Sequence, residues 1–232
     1  MSLPAVTFRR ARSAEHKERR VRDLVDAARA LASERGARTV TLTAIATRAG
    51  VHVSGVRRYF DSREDILLAL AGEGWREWAA RVVRALQPAA GGGLGHVADV
   101  LAGTLAELPL FCDLLAQVAL SLEREATVES IRAAAVTERE QVETIADVVT
   151  AASDRLDRGQ VCELVAATAL LAGALWQVAH PTEEVAGLHR DDPRLAPAAV
   201  DFPVQLARLV RALATGLELE DFGSPGRGAV RG

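Results

Sequence analysis

TLTAIATRAGVHVSGVRRYFDSRE, residues Thr41 to Glu64, reads as two short helices joined at a glycine. Leu42, Ile45, Ala46 and Ala49 fall at i, i+3, i+4 and i+7, a single apolar face, and Thr41 stands where a side-chain oxygen can cap the free N–H groups. Gly50 follows, where a helix stop needs positive φ. In the second helix Val56 and Phe60 point inward at spacing four. At about 100° per residue the opposite face centres on Arg58, flanked by Ser54 and Gly55, with Arg57 and Tyr59 at its edges. A short helix, a turn and a second helix with a polar outer face is the layout of a helix-turn-helix DNA reader.

Thr41, Leu42, Ile45, Ala46, Ala49, Gly50, Val51, Val56, Tyr59, Phe60, Ser62 and Glu64, with Arg63 at a position usually held by Lys, give a chain that resembles the TetR family of one-component transcriptional regulators. The resemblance covers residues 20 to 70. His52 stands where the family usually has Ser, Ser54-Gly55 where it has Gly-Thr, and Arg57 where a Tyr usually meets a phosphate. A second stretch, PLFCDLLAQVALSLEREATVESI at 109–131, is similar to the first half of the regulatory domain in one branch of the family. The resemblance implies an all-α fold of about nine helices: a three-helix N-terminal head and a helical-bundle regulatory domain that couples ligand capture to separation of two reading heads.

Charge supports this division. The chain carries a net −3, but residues 1–70 hold 14 Lys and Arg against 8 Asp and Glu, so a +6 head sits on a −9 body. Only the head is then suited to meet phosphates. A sequence-independent DNA binder would be basic throughout. The competing reading of the basic excess is a disordered start without a partner. With 49% apolar and only 4% aromatic residues, rich in Ala and Leu, the composition favours helix over sheet.

Residues 1–14 read as a flexible basic arm and Glu15–Arg35 as an amphipathic helix closed by Gly36. The DNA-binding unit is then 15–61. Ser62 and Asp65 form a capping box for a fourth helix reaching about Leu86, shared by head and body. Pro88 and Gly91–Gly93 end it. Further helices are expected at His96–Leu108, Pro109–Glu125, Val128–Ala152, Asp157–Ala179 and Phe202–Leu219, so the regulatory domain spans 62–219. Pro181–Val200 reads as a long connection and 220–232 as a disordered tail. Cys112 and Cys162 read as reduced core residues. Residues 1–20 lack the apolar core of a signal peptide, and no charge-free apolar run reaches about 18 residues, which points to a cytoplasmic protein without a membrane partner.

Arg is the commonest reader of guanine, so Arg58 is the expected base contact. Ser54 can bond a base edge, and Gly55 lets the groove floor come close. Arg57 and Tyr59 suit the flanking phosphates, and Thr43 and Arg63 the backbone beyond them. His52 either bonds a phosphate or caps its helix. One head gives too little discrimination, since a good bidentate pair contributes about 1–3 kcal/mol. The resemblance implies a homodimer on the last two long helices. Val161, Leu164, Val165, Thr168, Leu171, Ala172 and Leu175 on one, and Phe202, Leu206, Leu209, Val210 and Leu213 on the other, are its expected contacts, with Gly173 permitting close approach. Monomer core is the alternative for both stripes.

Trp75, Trp78, Thr104, Phe111, Gln117 and Trp176 are candidates for a pocket holding a small apolar effector, although aromatic residues at helical spacing are ordinary core too. No cofactor is expected. An enzyme would need a catalytic set, and the five His and two Cys show no pairing of recognisable spacing, while Gly91–Gly93 lacks the Lys-Ser/Thr of a phosphate loop. Glu183, Glu184, His189, Asp191 and Asp192 contain metal-ligating types but read as a solvated charged loop. The partners expected are double-stranded operator DNA, a second copy of the chain and the effector.

Overall fold

The computed structural model describes residues 5–86, 93–195 and 201–221, so the expectations for residues 1–4, for the loop at 87–92, for 196–200 of the long connection and for 222–232 of the tail lie outside it. Residues 220–221 of the expected tail continue the last helix. Helix α1, Ala5–Arg35, begins ten residues before the expected Glu15. No Gly or Pro interrupts the chain from Ala5, and Ala and Arg are strong helix formers, so residues 5–14 of the expected arm continue the helix. Gly36, at φ +83°, ends it, and its N–H bonds the Ala32 carbonyl at 2.8 Å. A 3₁₀ turn, Ala37–Thr39, leads into α2, Leu42–Arg48, then α3, Val53–Val56, and α4, Arg63–Leu86.

The body continues with α5, Gly93–Ala106, and α6, Pro109–Gln117, which opens into a π-helical turn, Val118–Leu122, and a short α7, Glu123–Glu125. Long helices α8, Val128–Ala152, and α9, Arg158–Ala179, follow, then α10, Glu183–Asp191, and α11, Phe202–Asp221. The described residues form no strand. Local chemistry sets the boundaries: Asp157 and Gln160 make a reciprocal capping box, the Thr127 side chain caps α8, and Pro109 takes the first turn of α6.

Helix α10 occupies part of Pro181–Val200, expected to be a long connection without a clear period. Thr182 accepts from the Val185 N–H, Glu183 and Glu184 occupy the first turn, and His189 and Arg190 the last. Both ends therefore match the helix dipole, and Arg190 pairs with Glu183 at 2.7 Å.

Two apolar cores form. The head core takes Leu24, Ala28, Leu31, Ile45, Ala46 and Val56 from α1–α3, and Ile66 to Ala71 from the first half of α4. The body core begins at Trp75 and Trp78 on the same helix and gathers α5, α8, α9 and α11. Helix α4 thus belongs to both, as expected, and the division runs through it between Ala71 and Trp75. Helix α6 is also shared: Phe111 and Cys112 enter the body core, whereas Leu114 enters the head core. Burial pushes the Cys112 thiol up to about 12, while Cys162 is half-buried and both cysteines are free.

Candidate DNA-reading head and effector core

The Thr41 hydroxyl caps α2 by accepting from the Ala44 N–H at 3.1 Å, and Gly50 turns the chain at φ +65°. Ile45, Ala46 and Val56 are buried beneath. Helix α3 spans only four residues, because Gly55 and the β-branched Val53 and Val56 are weak helix formers. It tightens into a turn in which Tyr59 and Phe60 both donate to the Val56 carbonyl, at 2.9 and 3.1 Å. Arg58 consequently stands in that turn rather than at mid-helix.

Arg57 and Arg58 are both exposed, and no carboxylate among the described residues lies within 4 Å of either. Thr43 is exposed on α2. His52 acts as a cap: its Nδ1 accepts from the Ser54 N–H at 3.3 Å and lies 3.0 Å from the Ser54 hydroxyl. A Cβ on Gly55 would sit 3.7 Å from Val51 Cβ, so packing does not require glycine there. Tyr59 is half-buried against the head core. Arg63, expected at the DNA backbone, is engaged within the head. Its guanidinium pairs with buried Glu64 and donates to the carbonyls of Arg38 and Val40, at 3.1 and 2.6 Å, tying α4 to the turn before α2.

A buried carboxylate completes the junction. Asp65 is 3% exposed. It makes the capping box with Ser62 and also accepts from the N–H and hydroxyl of Thr127, both at 2.9 Å. Burial alone would push the Asp65 pKa up, but the hydrogen bonds from Thr127, Ser130 and Ser62 outweigh it and hold the group below the usual carboxylate value. Sequence patterning exposes the Ser62 half of this arrangement and not the Thr127 half, whose partner lies 62 residues away.

Trp75, Trp78 and Phe111 meet in the body, with ring centroids 5.4 to 6.4 Å apart. The Trp78 Nε1–H donates to the Thr104 hydroxyl at 3.0 Å. Trp78 is fully buried and Trp75 and Phe111 nearly so, which makes these four residues a packed group. A cleft of about 380 Å³ opens at α4 and α6, lined by Leu70, Gly74, Leu108, Pro109 and Phe111 with Arg29, Glu73, Arg81 and Glu107 at its charged rim. Phe111 is the one expected effector residue in it. Gln117 is buried at the far end of α6, and Trp176 stacks on His180 at 3.7 Å and meets Phe202 edge-on at 5.2 Å. No ring contact joins Trp176 to the aromatic trio, and no hydrogen bond joins Gln117 to it.

The expected dimer stripes divide in two. Val161, Leu164, Val165, Thr168, Ala172, Phe202, Leu206 and Val210 are buried in the single chain, so they are core of the body and not surface. Leu171, Leu175 and Leu209 are half-buried, and Leu213 is 39% exposed. Facing outward on α9 are Ala167, Leu170, Leu171, Ala174 and Val178, and on α11 Leu209, Ala212, Leu213 and Gly216. The physical reason is that α9 is apolar nearly all round, with Arg158 and Glu163 its only charges, so periodicity alone does not separate its two apolar faces. Gly173 likewise serves an internal contact. A Cβ there would lie 2.8 Å from the Ala116 backbone N of α6.

Sequence profiles match both parts. One described as bacterial regulatory proteins, tetR family, covers residues 24–70, and one described as the tetracyclin repressor-like C-terminal domain covers 72–221. The fold is similar to that of Thermus thermophilus FadR, a TetR-family transcriptional repressor solved in complex with lauroyl-CoA, at a TM-score of 0.55 and 21% identity over 91% of this chain and 98% of that one. It is similar also to the fatty acid degradation regulator FadR of Bacillus halodurans, at 0.52 and 15% over 91% and 96%. A TetR-family regulator of Streptomyces coelicolor gives 0.51 and 19% over 85% and 99%. No curated protein matches the sequence. The helix-turn-helix head, the shared α4 and the two matched profiles together make this chain a member of the TetR family of transcriptional regulators.

Proposed function

We propose that the protein is a ligand-responsive repressor, acting in the cytoplasm, that binds a palindromic operator as a homodimer. The observation that carries this reading is the exposed Arg57–Arg58 pair, free of carboxylate partners among the described residues, on the turn where the head presents its polar face. Arg58 reads a base edge. Ser54 can bond a base edge on the same face, and Arg57 and Thr43 position the head on the phosphates. His52 supports the reading helix as its cap, and Arg63 braces the head from within.

Pairing of two heads follows from α9. One of its apolar faces is in the monomer core, and the other, with Leu170 64% exposed, continues across the groove to Leu213 on α11. An apolar stripe of this extent is a surface for a second copy. The effector is a small, largely apolar molecule taken in at the cleft between α4 and α6 beside Phe111, against the packed group of Trp75, Trp78 and Thr104. Thermus thermophilus FadR holds lauroyl-CoA on the same fold, which makes acyl chains the first class to test. Binding shifts the equilibrium only by the effector's differential affinity for the two states of the dimer, typically about 1–3 kcal/mol.

The test is binding of fluorescein-labelled intergenic DNA from beside the protein's own gene, against scrambled DNA of equal length. Arg58→Ala should weaken operator binding by about 10- to 100-fold, the equivalent of one bidentate base contact, and leave scrambled DNA less affected. An unchanged preference for operator over scrambled DNA removes Arg58 from the reading face.

A further inference from the structure

Helix α6 is held on three sides. Toward α4, the Phe111 ring packs so closely on Gly74 that any Cβ there would overlap it. On the side of α9, Gly173 brings that helix against the α6 backbone, 2.8 Å from Ala116 N and 3.0 Å from the Leu115 carbonyl carbon when a Cβ is built on it. On the third side, Leu114 enters the head core. A helix in backbone contact with another moves with it, because neither surface has side-chain freedom to absorb a shift.

Asp113 stands in the middle of this helix, half-buried, and its two oxygens are divided between two partners. Oδ2 accepts from the backbone N–H of Ala37 at 2.7 Å, and Oδ1 from the Gln177 side-chain Nε2 at 2.9 Å. Ala37 is fully buried in the 3₁₀ turn that joins α1 to α2, immediately after Gly36, and this carboxylate satisfies its N–H. Gln177 is exposed on α9, one residue before Val178 and three after Ala174, beside the outward apolar stripe. Hydrogen bonds to a charged acceptor are stronger than neutral ones.

We propose that Asp113 is a positioning residue that transmits the placement of α9 to the DNA-reading head through the Ala37 amide, a link that does not pass along α4. Its functional consequence rests on the regulator reading above. A partner or effector that displaces α9 carries α6 with it and moves the acceptor that fixes the entry to α2. Asp113→Asn preserves the link, since the Asn oxygen accepts from Ala37 while its NH₂ donates to the Gln177 oxygen once that amide is flipped.

The test is amide hydrogen exchange at Ala37 in the full-length, DNA-free protein, with the Ile45 amide inside the head as reference. Asp113→Ala is expected to speed Ala37 exchange at least tenfold over Ile45, and Asp113→Asn to restore it to within about threefold of wild type. The discriminating variant is Gln177→Ala. Gln177 is exposed, so its loss leaves the fold intact, yet it should speed Ala37 exchange several-fold and change operator affinity by threefold or more. A merely local role for Asp113 at the α1–α2 turn would leave Ala37 unaffected by Gln177, and an unchanged rate in Gln177→Ala overturns the proposal. If Ala37 responds but no DNA is bound in a sequence-dependent way, the link stands and the regulator reading fails.

Discussion

Replacing Gly173 with Ala tests whether α6 and α9 are in backbone contact. Helix propensity alone makes the change favourable by about 1 kcal/mol, because Gly is the poorer helix former. The structure opposes it. The new Cβ lies 2.8 Å from Ala116 N, 3.0 Å from the Leu115 carbonyl carbon and 3.2 Å from Ala116 Cα. All three are backbone atoms, so relief requires moving α6 away by roughly 1 Å to reach a normal separation of about 3.5–4 Å. Overpacking of this kind costs about 1–3 kcal/mol, and the separation forfeits dispersion contacts along the whole helix pair. The net expectation is a loss of about 1–2 kcal/mol, which for a chain of this size lowers Tm by roughly 2–8 °C. Gly103 on α5 is the control, since a Cβ there meets nothing within 4 Å. Gly103→Ala should gain about 0.5–1 kcal/mol. Thermal melts by calorimetry at one fixed protein concentration, so that dimer linkage is constant, separate the two. A Gly173→Ala protein melting at or above wild type would refute the close approach of α6 and α9.

Thr104→Val keeps the shape of the side chain but leaves the buried Trp78 Nε1–H without its acceptor, and should cost about 1–3 kcal/mol in urea unfolding; a change within error would mean the 3.0 Å bond contributes nothing. Because the folded-state pKa of Asp65 is lowered, the group stabilises the fold fully above the unfolded carboxylate value of about 3.9 and loses that contribution as pH falls through the folded value. The stability gap between wild type and Asp65→Asn should therefore be widest above about pH 5, begin to narrow as pH falls below about 4 and close only below the lowered folded value, whereas a constant gap would assign the effect to packing. Leu170→Glu, at an exposed position, should yield folded monomers in sedimentation velocity. Leu164→Glu, at a fully buried one, should unfold the chain, and dimers that survive Leu170→Glu would remove that face from the interface.

How far the sequence could be read depended on whether the signal was local. The Thr41 cap, the Gly50 turn, the Ser62–Asp65 box and the starts of α8 and α9 all rest on contacts within a few residues, and each is present where the pattern places it. The family signature is local for the same reason, since it records what a helix-turn-helix needs over about 24 residues. Helix α10 was hidden because its signal is capping and charge at the two ends rather than an apolar period. Eight of the twelve expected dimer contacts are core in the single chain, because α9 presents apolar residues in every direction, and a period of 3.6 says which residues share a face but not what that face meets.

The sequence by itself determined the all-α class, the head and its turn, and the charge division between head and body, because helix propensity, capping and net charge are properties of short segments. Only the tertiary structure decided that Trp75, Trp78, Thr104 and Phe111 form one packed group, that Arg63 braces the head from within, and that Asp113 joins Ala37 to Gln177. Those partners lie 23 to 76 residues apart in the chain. Such pairings arise when helices settle against one another at fixed angles and distances, and no local pattern encodes which distant backbone amide or carbonyl a side chain will meet.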